Sequence, residues 1–180
     1  MLGLILPYKK IMPVIGKDVF IAHNAAVMGK VTLGDRSNIW FSCVVRGDVN
    51  EIKIGKDTNI QDGTIVHCSS REGGGTYIGD HVTVGHMACI HACTLEDNSF
   101  VGIGAKVLDG SYVESGGMVA ACALLTSGKR VKKGELWAGV PAKPIRKIGE
   151  KELAMMKRIP SHYVELGEDY MNEEENWYNS

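Results

Sequence analysis

Aliphatic residues recur at six-residue intervals along most of the 180-residue chain. An amphipathic helix needs an apolar period of about 3.6 residues and a strand a period of about 2, so neither element explains this rhythm. Six residues suit one short strand followed by a turn, with one aliphatic side chain pointing inward. The positions that follow the rhythm are Ile15, Ile21, Val27, Leu33, Ile39, Val45, Ile54, Ile60, Val66, Ile78, Val84, Ile90, Leu95, Val101, Val107, Val113, Val119, Leu125, Val131 and Trp137.

Three such units close a triangular coil of roughly 18 residues, and stacked coils bury a column of aliphatic side chains. Small or β-branched residues, which fit a crowded corner, recur four positions after most of these aliphatics. They include Val19, Ala25, Val31, Ser37, Thr58, Thr64, Val82, Ala88 and Ala105. The pattern predicts an all-β fold, a parallel β-helix over residues 15–140 that follows an N-terminal extension of residues 1–14.

Two segments interrupt the rhythm, residues 46–53 and residues 67–77. Interruptions in a repeat array usually mark loops, and in stacked-coil proteins such loops tend to line the binding face. Both segments flank histidines, so we expect the functional site beside them.

The regular pattern ends after Trp137, where the stretch AGVPAKPIR contains two prolines. From about Glu150 the apolar spacing becomes helical. It predicts one helix that ends at Pro160 and a second helix that Ser161 caps. Residues 141–180 are therefore interpreted as a linker and C-terminal α-helices that pack on the coil or on a neighbouring chain.

Composition and charge argue against several classes of function. The net charge is −1 with both signs interspersed, so neither nucleic acid nor a membrane is expected as a partner. No apolar run approaches the ~20 residues of a membrane-spanning helix, and the N-terminal run is too short for a signal peptide. The five cysteines fit no zinc-ribbon spacing and are interpreted as small buried apolar residues in a reducing compartment. The chain is expected to be cytoplasmic.

Three of the six histidines, His67, His86 and His91, follow closely behind core aliphatics of the rhythm. Counted in coils, His86 lies about one turn beyond His67, and His91 lies on the next face. A corner then separates His86 from His91, so two chains packed side by side bring the imidazoles together more easily than one coil does. The spacing favours a metal site shared between subunits around a three-fold axis.

Three imidazoles leave a fourth coordination position open, which is the catalytic arrangement of zinc. An open Zn²⁺ site lowers the pKa of its bound water to about 7 and supplies hydroxide at neutral pH. An isolated histidine is more often a structural residue, and His23, His81 and His162 are interpreted in that way.

The hexad array, the RGD at 46–48, the NIQDG at 59–63 and the histidine spacing together closely resemble the γ-class carbonic anhydrase-like family of the hexapeptide-repeat superfamily. The resemblance implies a left-handed β-helix, an exception to the right-handed crossover rule, and a homotrimer with sites at its interfaces. It implies that His67 and His91 of one chain and His86 of the next bind Zn²⁺, or alternatively Fe²⁺ or Co²⁺. The implied small-molecule substrate is CO2, which is hydrated to bicarbonate.

The resemblance also implies roles for three uncharged side chains. Gln61 would orient the metal-bound water, and Asn59 would line the same pocket. Tyr163 would match a tyrosine near the metal.

Three charged residues complete the implied site. Arg46 and Asp62 would form an ion pair across the subunit boundary, with Asp48 beside them. The alternative is that both motifs have only structural roles. RGD would then be a simple turn, and NIQDG would be a polar corner of the coil. If the pair is buried, it would fix the register of assembly more than it would add stability.

Two departures from the family pattern bear on the activity. Val49 follows the RGD where the family carries an acidic residue, and the long acidic loop with a proton-shuttle glutamate is missing. The short SSREGGG segment offers only Glu72 in its place. Hydration of CO2 must export a proton in each turnover, so we expect the activity to be weak.

Two other functions stay open on sequence grounds. An acyl-CoA- or acetyl-CoA-dependent transferase would use a histidine as general base and bind its cofactor between coils of neighbouring chains. A non-catalytic trimeric metal-binding scaffold would keep the histidines without the chemistry. The hexads and the AGVPA stretch are shared with acyltransferases, whereas the histidine spacing is not.

Overall fold

The computed structural model describes residues 3–177, with side-chain placement through residue 173. Within that range, short strands stack into about seven coils of a left-handed parallel β-helix, and one helix follows them. The predicted fold class is confirmed. Residues 1, 2 and 178–180 of the predicted terminal segments lie outside the described residues.

The elements are numbered in chain order. They are β1 (Leu4–Leu6), β2 (Val14–Ile15), β3 (Phe20–Ile21), β4 (Ala26–Leu33), β5 (Asn38–Ile39), β6 (Val44–Ile54), β7 (Asn59–Ile60), β8 (Ile65–His67), β9 (Thr76–Ile78), β10 (Thr83–Val84), β11 (Cys89–His91), β12 (Thr94–Leu95), β13 (Phe100–Val101), β14 (Lys106–Val107), β15 (Tyr112–Val113), β16 (Met118–Val119), β17 (Leu124–Leu125), β18 (Arg130–Val131), β19 (Glu135–Gly139), β20 (Ala142–Lys147) and α1 (Glu150–Trp177).

The strands form three faces. Face 1 contains β1, β8, β11, β14 and β17, face 2 contains β2, β9, β12, β15 and β18, and β4 and β6 run across the corner that joins these two faces. Face 3 contains β3, β5, β7, β10, β13, β16, β19 and β20. The described strands pair in parallel, except that β20 folds back antiparallel on β19 and ends the stack.

The inward aliphatic column agrees with the six-residue rhythm. Every predicted position from Ile21 to Val131 is buried, and the small corner residues four positions later are buried as well. Ile15 and Trp137 are only partly buried because they lie in the first and last coils, where no further coil covers them. Burial of this column supplies the hydrophobic stabilisation of the fold.

One corner of the coil turns through a residue in the left-handed backbone region on successive levels. This corner suits Asp, Asn and Gly, which tolerate positive φ better than other residues. The residues at this corner, with φ between 52° and 70°, are Asp18, Arg36, Asp57, His81, Asn98, Gly116 and Gly134. His81 is therefore a corner residue.

The two interruptions of the rhythm have different structures. The prediction of a loop at 46–53 was wrong, because these residues belong to the continuous strand β6. Gly47 pairs with Gly29, but Ile52 already pairs with Val31, so the extra residues bulge outward without breaking the strand. Residues 68–75 form the predicted loop between β8 and β9, and they lengthen their coil.

The C-terminal region forms a single helix, so the prediction of two helices separated at Pro160 was wrong. A proline inside a helix removes one backbone hydrogen bond, which usually ends or kinks the helix. Here tertiary packing outweighs that loss, because Pro160 is itself buried. Beyond Pro160, the helix packs Tyr163 edge-on against Trp40 and Tyr170 against Phe20 on face 3, with ring centroids 5.1 and 5.6 Å apart.

All five cysteines are free thiols. Cys43, Cys68 and Cys93 are buried as predicted, and Cys89 is partly buried. The prediction was wrong for Cys122, which is exposed because it lies at an outer corner of the coil with φ of 58°.

Among the described residues, no helix is both long enough and apolar enough to cross a membrane.

The core column yields a first prediction. Leu95→Ala removes a side chain that is 1% exposed, so it should lower the free energy of unfolding by about 2–5 kcal/mol through lost burial and an unfilled cavity. Leu6→Ala, at a position that is 41% exposed, should change it by less than about 1 kcal/mol. Urea unfolding followed by circular dichroism measures both variants, and equal losses would contradict this account of the core.

Candidate metal centre

His67 and His91 are neighbours on adjacent coils of face 1. They lie directly opposite each other where β8 pairs with β11, and their ring centroids are 5.2 Å apart. Coil counting predicted that His86 would lie about one turn beyond His67, which is wrong, because His91 occupies that position. The prediction that a corner separates His86 from His91 is confirmed, since His86 follows β10 on face 3 and His91 lies in β11 on face 1. The loop at 68–75 lengthens this coil, so Ile65 pairs with Cys89, 24 positions later, and His91 takes the stacked position.

The spacing of the two rings suits a shared ion. Neighbouring strands lie about 4.8 Å apart, so outward side chains on adjacent coils keep roughly this separation. Two imidazoles bound to one tetrahedral Zn²⁺ at about 2.0–2.1 Å have ring centroids roughly 5 Å apart. The β-ladder itself therefore holds His67 and His91 at a distance that two ligands of one ion require.

Each of the three candidate histidines has a carboxylate partner on a neighbouring coil. Asp48 Oδ1 lies 2.9 Å from His67 Nε2. Asp62 Oδ2 lies 2.7 Å from His86 Nδ1, and Asp109 Oδ1 lies 2.6 Å from His91 Nδ1. In every pair the carboxylate uses one ring nitrogen and leaves the other for a different partner.

This pattern fits a metal centre. Histidines that bind metal usually donate their other ring N–H to a carboxylate or carbonyl, which fixes the ring and makes the ligating nitrogen more basic. His86 and His91 would offer Nε2 and His67 would offer Nδ1, a set of neutral imidazoles that suits Zn²⁺ and other first-row divalent ions.

Asp109 was missed by the sequence reasoning. It follows His91 by 18 residues, which is one coil of the repeat, and this spacing was the signal that could have identified it. Its second carboxylate oxygen accepts a hydrogen bond of 3.0 Å from Arg71, which belongs to the loop at 68–75. The loop therefore contacts Asp109, the carboxylate that holds the His91 ring.

Asp48 links Arg46 to His67. Its Oδ2 accepts a hydrogen bond of 2.5 Å from the Arg46 guanidinium, while Oδ1 faces His67. Burial works against the charge of Asp48, but the hydrogen bonds from His67 and Arg46 outweigh it and hold the pKa of this carboxyl below its ordinary value. Within one chain, Arg46 thus pairs with Asp48 and Asp62 pairs with His86.

A buried amide chain fixes the orientation of Gln61. The Asn59 amide donates to the Thr83 hydroxyl at 3.0 Å, and the Gln61 amide donates to Asn59 Oδ1 at 2.9 Å. Gln61 Oε1 is left as an acceptor with no hydrogen-bond partner among the described residues, in a side chain that is only 5% exposed. The backbone N–H of Gln61 donates to Val84 O at 2.9 Å, so Gln61 lies one coil away from the segment that leads to His86.

Tyr163 reaches the same place from the helix. Its hydroxyl lies 3.5 Å from His86 Nε2. Burial, and then the charge of Asp62, raise the pKa of this phenol above its ordinary value, so the hydroxyl keeps its proton at neutral pH.

The candidate residues fall into two groups at opposite edges of face 1, because β8 and β11 run across that face before reaching His67 and His91. The first group, called the His67 half-site, comprises Arg46, Asp48, His67, His91 and Asp109. The second group, called the His86 half-site, comprises Asn59, Gln61, Asp62, His86 and Tyr163. The fold of a single chain does not bring the two half-sites together.

Comparison with known proteins identifies the family of this chain. The bacterial transferase hexapeptide family (six repeats) matches residues 12–47. The crystal structure of a hexapeptide transferase family protein from Anaplasma phagocytophilum has a TM-score of 0.89 and 45% sequence identity, covering 93% of this chain and 98% of that one.

Several relatives carry carbonic anhydrase names, two of which are described here. The mitochondrial gamma carbonic anhydrase 2 of Arabidopsis thaliana is 47% identical over 165 residues, which are 89% of this chain but only 59% of the plant protein. The probable carbonic anhydrase of Methanocaldococcus jannaschii is 43% identical over 154 residues, which are 86% of this chain and 96% of that protein. This chain belongs to the γ-class carbonic anhydrase-like family of the hexapeptide-repeat superfamily.

Proposed function

We propose that this chain catalyses the metal-dependent hydration of CO2 to bicarbonate, at sites shared between neighbouring subunits of a homotrimer. The stack of His67 and His91, each held by a carboxylate and each with one ring nitrogen available, is the observation that supports this best. The carbonic anhydrase names of near-full-length relatives support CO2 as the substrate.

Assembly follows from the separation of the half-sites. A three-fold arrangement that sets the His86 edge of one chain against the His67 edge of the next would complete three equivalent sites. The His86 edge carries the apolar surface that such a contact needs, since Met87 is 70% exposed and Ile103, one coil away, is 54% exposed.

The ion is proposed to be Zn²⁺, with Fe²⁺ or Co²⁺ as alternatives that the same imidazoles accept. When bound with one open position, such an ion supplies hydroxide at neutral pH by lowering the pKa of coordinated water to about 7. The carboxylates on neighbouring coils keep the three rings in fixed orientations, which reduces the cost of organising the site on binding.

Gln61 is proposed to position the attacking water. Its Oε1 can accept a hydrogen bond from that water because its amide N–H is already used by Asn59. The Arg46–Asp48 pair would hold its charge beside His67, and Tyr163 would keep its proton and act as a hydrogen-bond donor at the His86 edge.

Proton export is the weak step of the proposed mechanism. Glu72 lines the same cavity of about 380 Å³ as Asp48 and Val49, so one carboxylate is available to pass protons outward. A single acid in place of an acidic loop makes a slow relay, and we therefore expect weak turnover.

Metal content and activity should fall together in one variant. Protein purified without chelator is expected to contain about one ion per chain, and His86→Ala should lose most of the metal and at least about 100-fold in CO2 hydration, since a ligand is removed. Elemental analysis and a stopped-flow pH-indicator assay measure the two properties, and His23→Ala, an exposed histidine outside both half-sites, is the control.

Two other outcomes of these measurements would support a different function. Metal-free wild-type protein that consumes acetyl-CoA would support the transferase alternative. Bound metal without CO2 hydration would support the non-catalytic scaffold.

Subunit mixing should test the shared site. Trimers of His86→Ala chains alone, or of His91→Ala chains alone, contain no complete site. After denaturation and refolding of an equal mixture, about one interface in four should combine an intact His67 half-site with an intact His86 half-site. We expect about a quarter of the wild-type CO2 hydration to return, and no recovery would contradict a site shared between chains.

The carboxylate partners predict ring tautomers without any metal. In the neutral imidazole form, His86 and His91 should carry the proton on Nδ1, whereas His67 should carry it on Nε2. Asp109→Ala should move the proton of His91 to Nε2, the form that imidazole prefers without such a partner. Long-range ¹H–¹⁵N spectra of metal-free protein report the tautomers, and Asp18→Ala, far from the histidines, should leave them unchanged.

A further inference from the structure

The charge of this chain is distributed unevenly. Residues 129–158, called here the basic end, hold ten of the 20 Lys and Arg residues but only three of the 21 Asp and Glu residues. All ten basic side chains are exposed. The near-zero net charge, on which the expectation of no membrane or nucleic-acid partner rests, conceals this excess of seven positive charges.

The basic end is one region in space because it surrounds the last coil. The backbone N–H of Ile148 donates to Gly134 O at 2.9 Å, so the end of β20 lies against the turn that carries Lys132 and Lys133. Lys133 and Lys157 also line a common cavity of about 280 Å³ beside the first turns of α1.

Most of these charges are not neutralised by the side chains that the structure describes. Arg130, Arg146 and Lys147 are paired with Glu114, Glu152 and Glu135. The other seven basic residues have no ion-pair partner among the residues that the structure describes. Seven cations without a partner in the described part of the chain, around one end of a coil, create a positive field that favours an anionic partner.

Protection of the sheet edge against pairing with other chains explains only some of the basic residues in the basic end. β20 is the last strand of face 3, and Lys and Pro on such an edge discourage pairing with other chains. That role accounts for Lys143 and Pro144. It does not account for the lysines at 132, 133, 151 and 157, which lie on a turn and a helix.

Exposed aliphatic side chains are interleaved with the cations. Val140 is 71% exposed, Ile145 is 59% exposed and Leu153 is 41% exposed. The one aromatic residue of the basic end, Trp137, is partly buried, and its indole N–H is used by Glu135. Aliphatics among lysines suit the boundary between lipid headgroups and acyl chains, whereas single-stranded nucleic acid favours exposed aromatic surfaces for stacking.

We propose that the basic end docks on an anionic phospholipid surface, with the lysines against the headgroups and Val140 and Ile145 at the acyl boundary. This interaction is independent of the metal centre, since both half-sites lie on the sides of the coil. It is a surface contact, reversible and sensitive to salt, because it depends on screened charges and a few aliphatic groups.

Vesicle sedimentation with the full chain tests the proposal. At low salt, vesicles of phosphatidylcholine with about 30% phosphatidylserine should bind at least about tenfold more protein than pure phosphatidylcholine vesicles, and about 0.5 M NaCl should remove the difference. The triple variant Lys132→Glu, Lys133→Glu, Lys157→Glu should lose this binding. Its matched control, Lys17→Glu, Lys53→Glu, Lys56→Glu, changes charge equally on exposed lysines of earlier coils and should keep most of the binding.

A neutral substitution tests the apolar component. Ile145→Ser should lower binding to the anionic vesicles severalfold without changing charge. Equal binding to neutral and anionic vesicles, or equal losses in the two triple variants, would overturn the proposal. Binding of RNA or DNA by the basic end, with no vesicle binding, would also overturn it and assign the surface to nucleic acid.

Discussion

Stacking of coils on one aliphatic column is the constraint on which the rest of this structure depends. The column keeps the coils in register, and the backbone hydrogen bonds between them set their distance at about 4.8 Å, so outward side chains on neighbouring coils have that spacing. A histidine and a carboxylate one coil apart therefore meet even though 18 to 24 residues separate them in sequence. His86 with Asp62 and His91 with Asp109 are both pairs of this kind.

The sequence predicts a structural feature well when neighbouring residues determine it, and poorly when residues far away in the sequence determine it. The core was predictable because each six-residue unit contributes one inward aliphatic side chain, and its residue type alone identifies the buried position. The stacking of His91 on His67 was not, because it depends on how many residues the loop at 68–75 adds to one coil. The helix through Pro160 was missed for a related reason, since aromatic packing against face 3 overrides a local rule.

The division into half-sites makes assembly part of the proposed chemistry. Each half-site is already organised within its own chain: Asp109 and Asp48 fix the two stacked rings, and the amide pair of Asn59 and Gln61 fixes an acceptor near His86. Assembly then has only to bring two rigid edges together, which costs little conformational entropy compared with ordering flexible ligands. In the proposed trimer, such a centre would be incomplete within one chain and complete once the subunits meet.

The same architecture determines where an external partner can bind. On face 3, α1 packs against β3, β5, β7 and β10, and the two half-sites lie at the two edges of face 1. On face 2 the outward side chains are largely engaged with one another, as where Tyr77 donates to Glu51 and Arg130 lies over the ring of Tyr112 at 3.8 Å. A stack of coils has two further surfaces, its ends, and those ends need not satisfy any neighbouring coil. Unpaired lysines can accumulate at the last coil without disturbing the core, so the surface that is least constrained by folding is also the one best suited to a separate binding role.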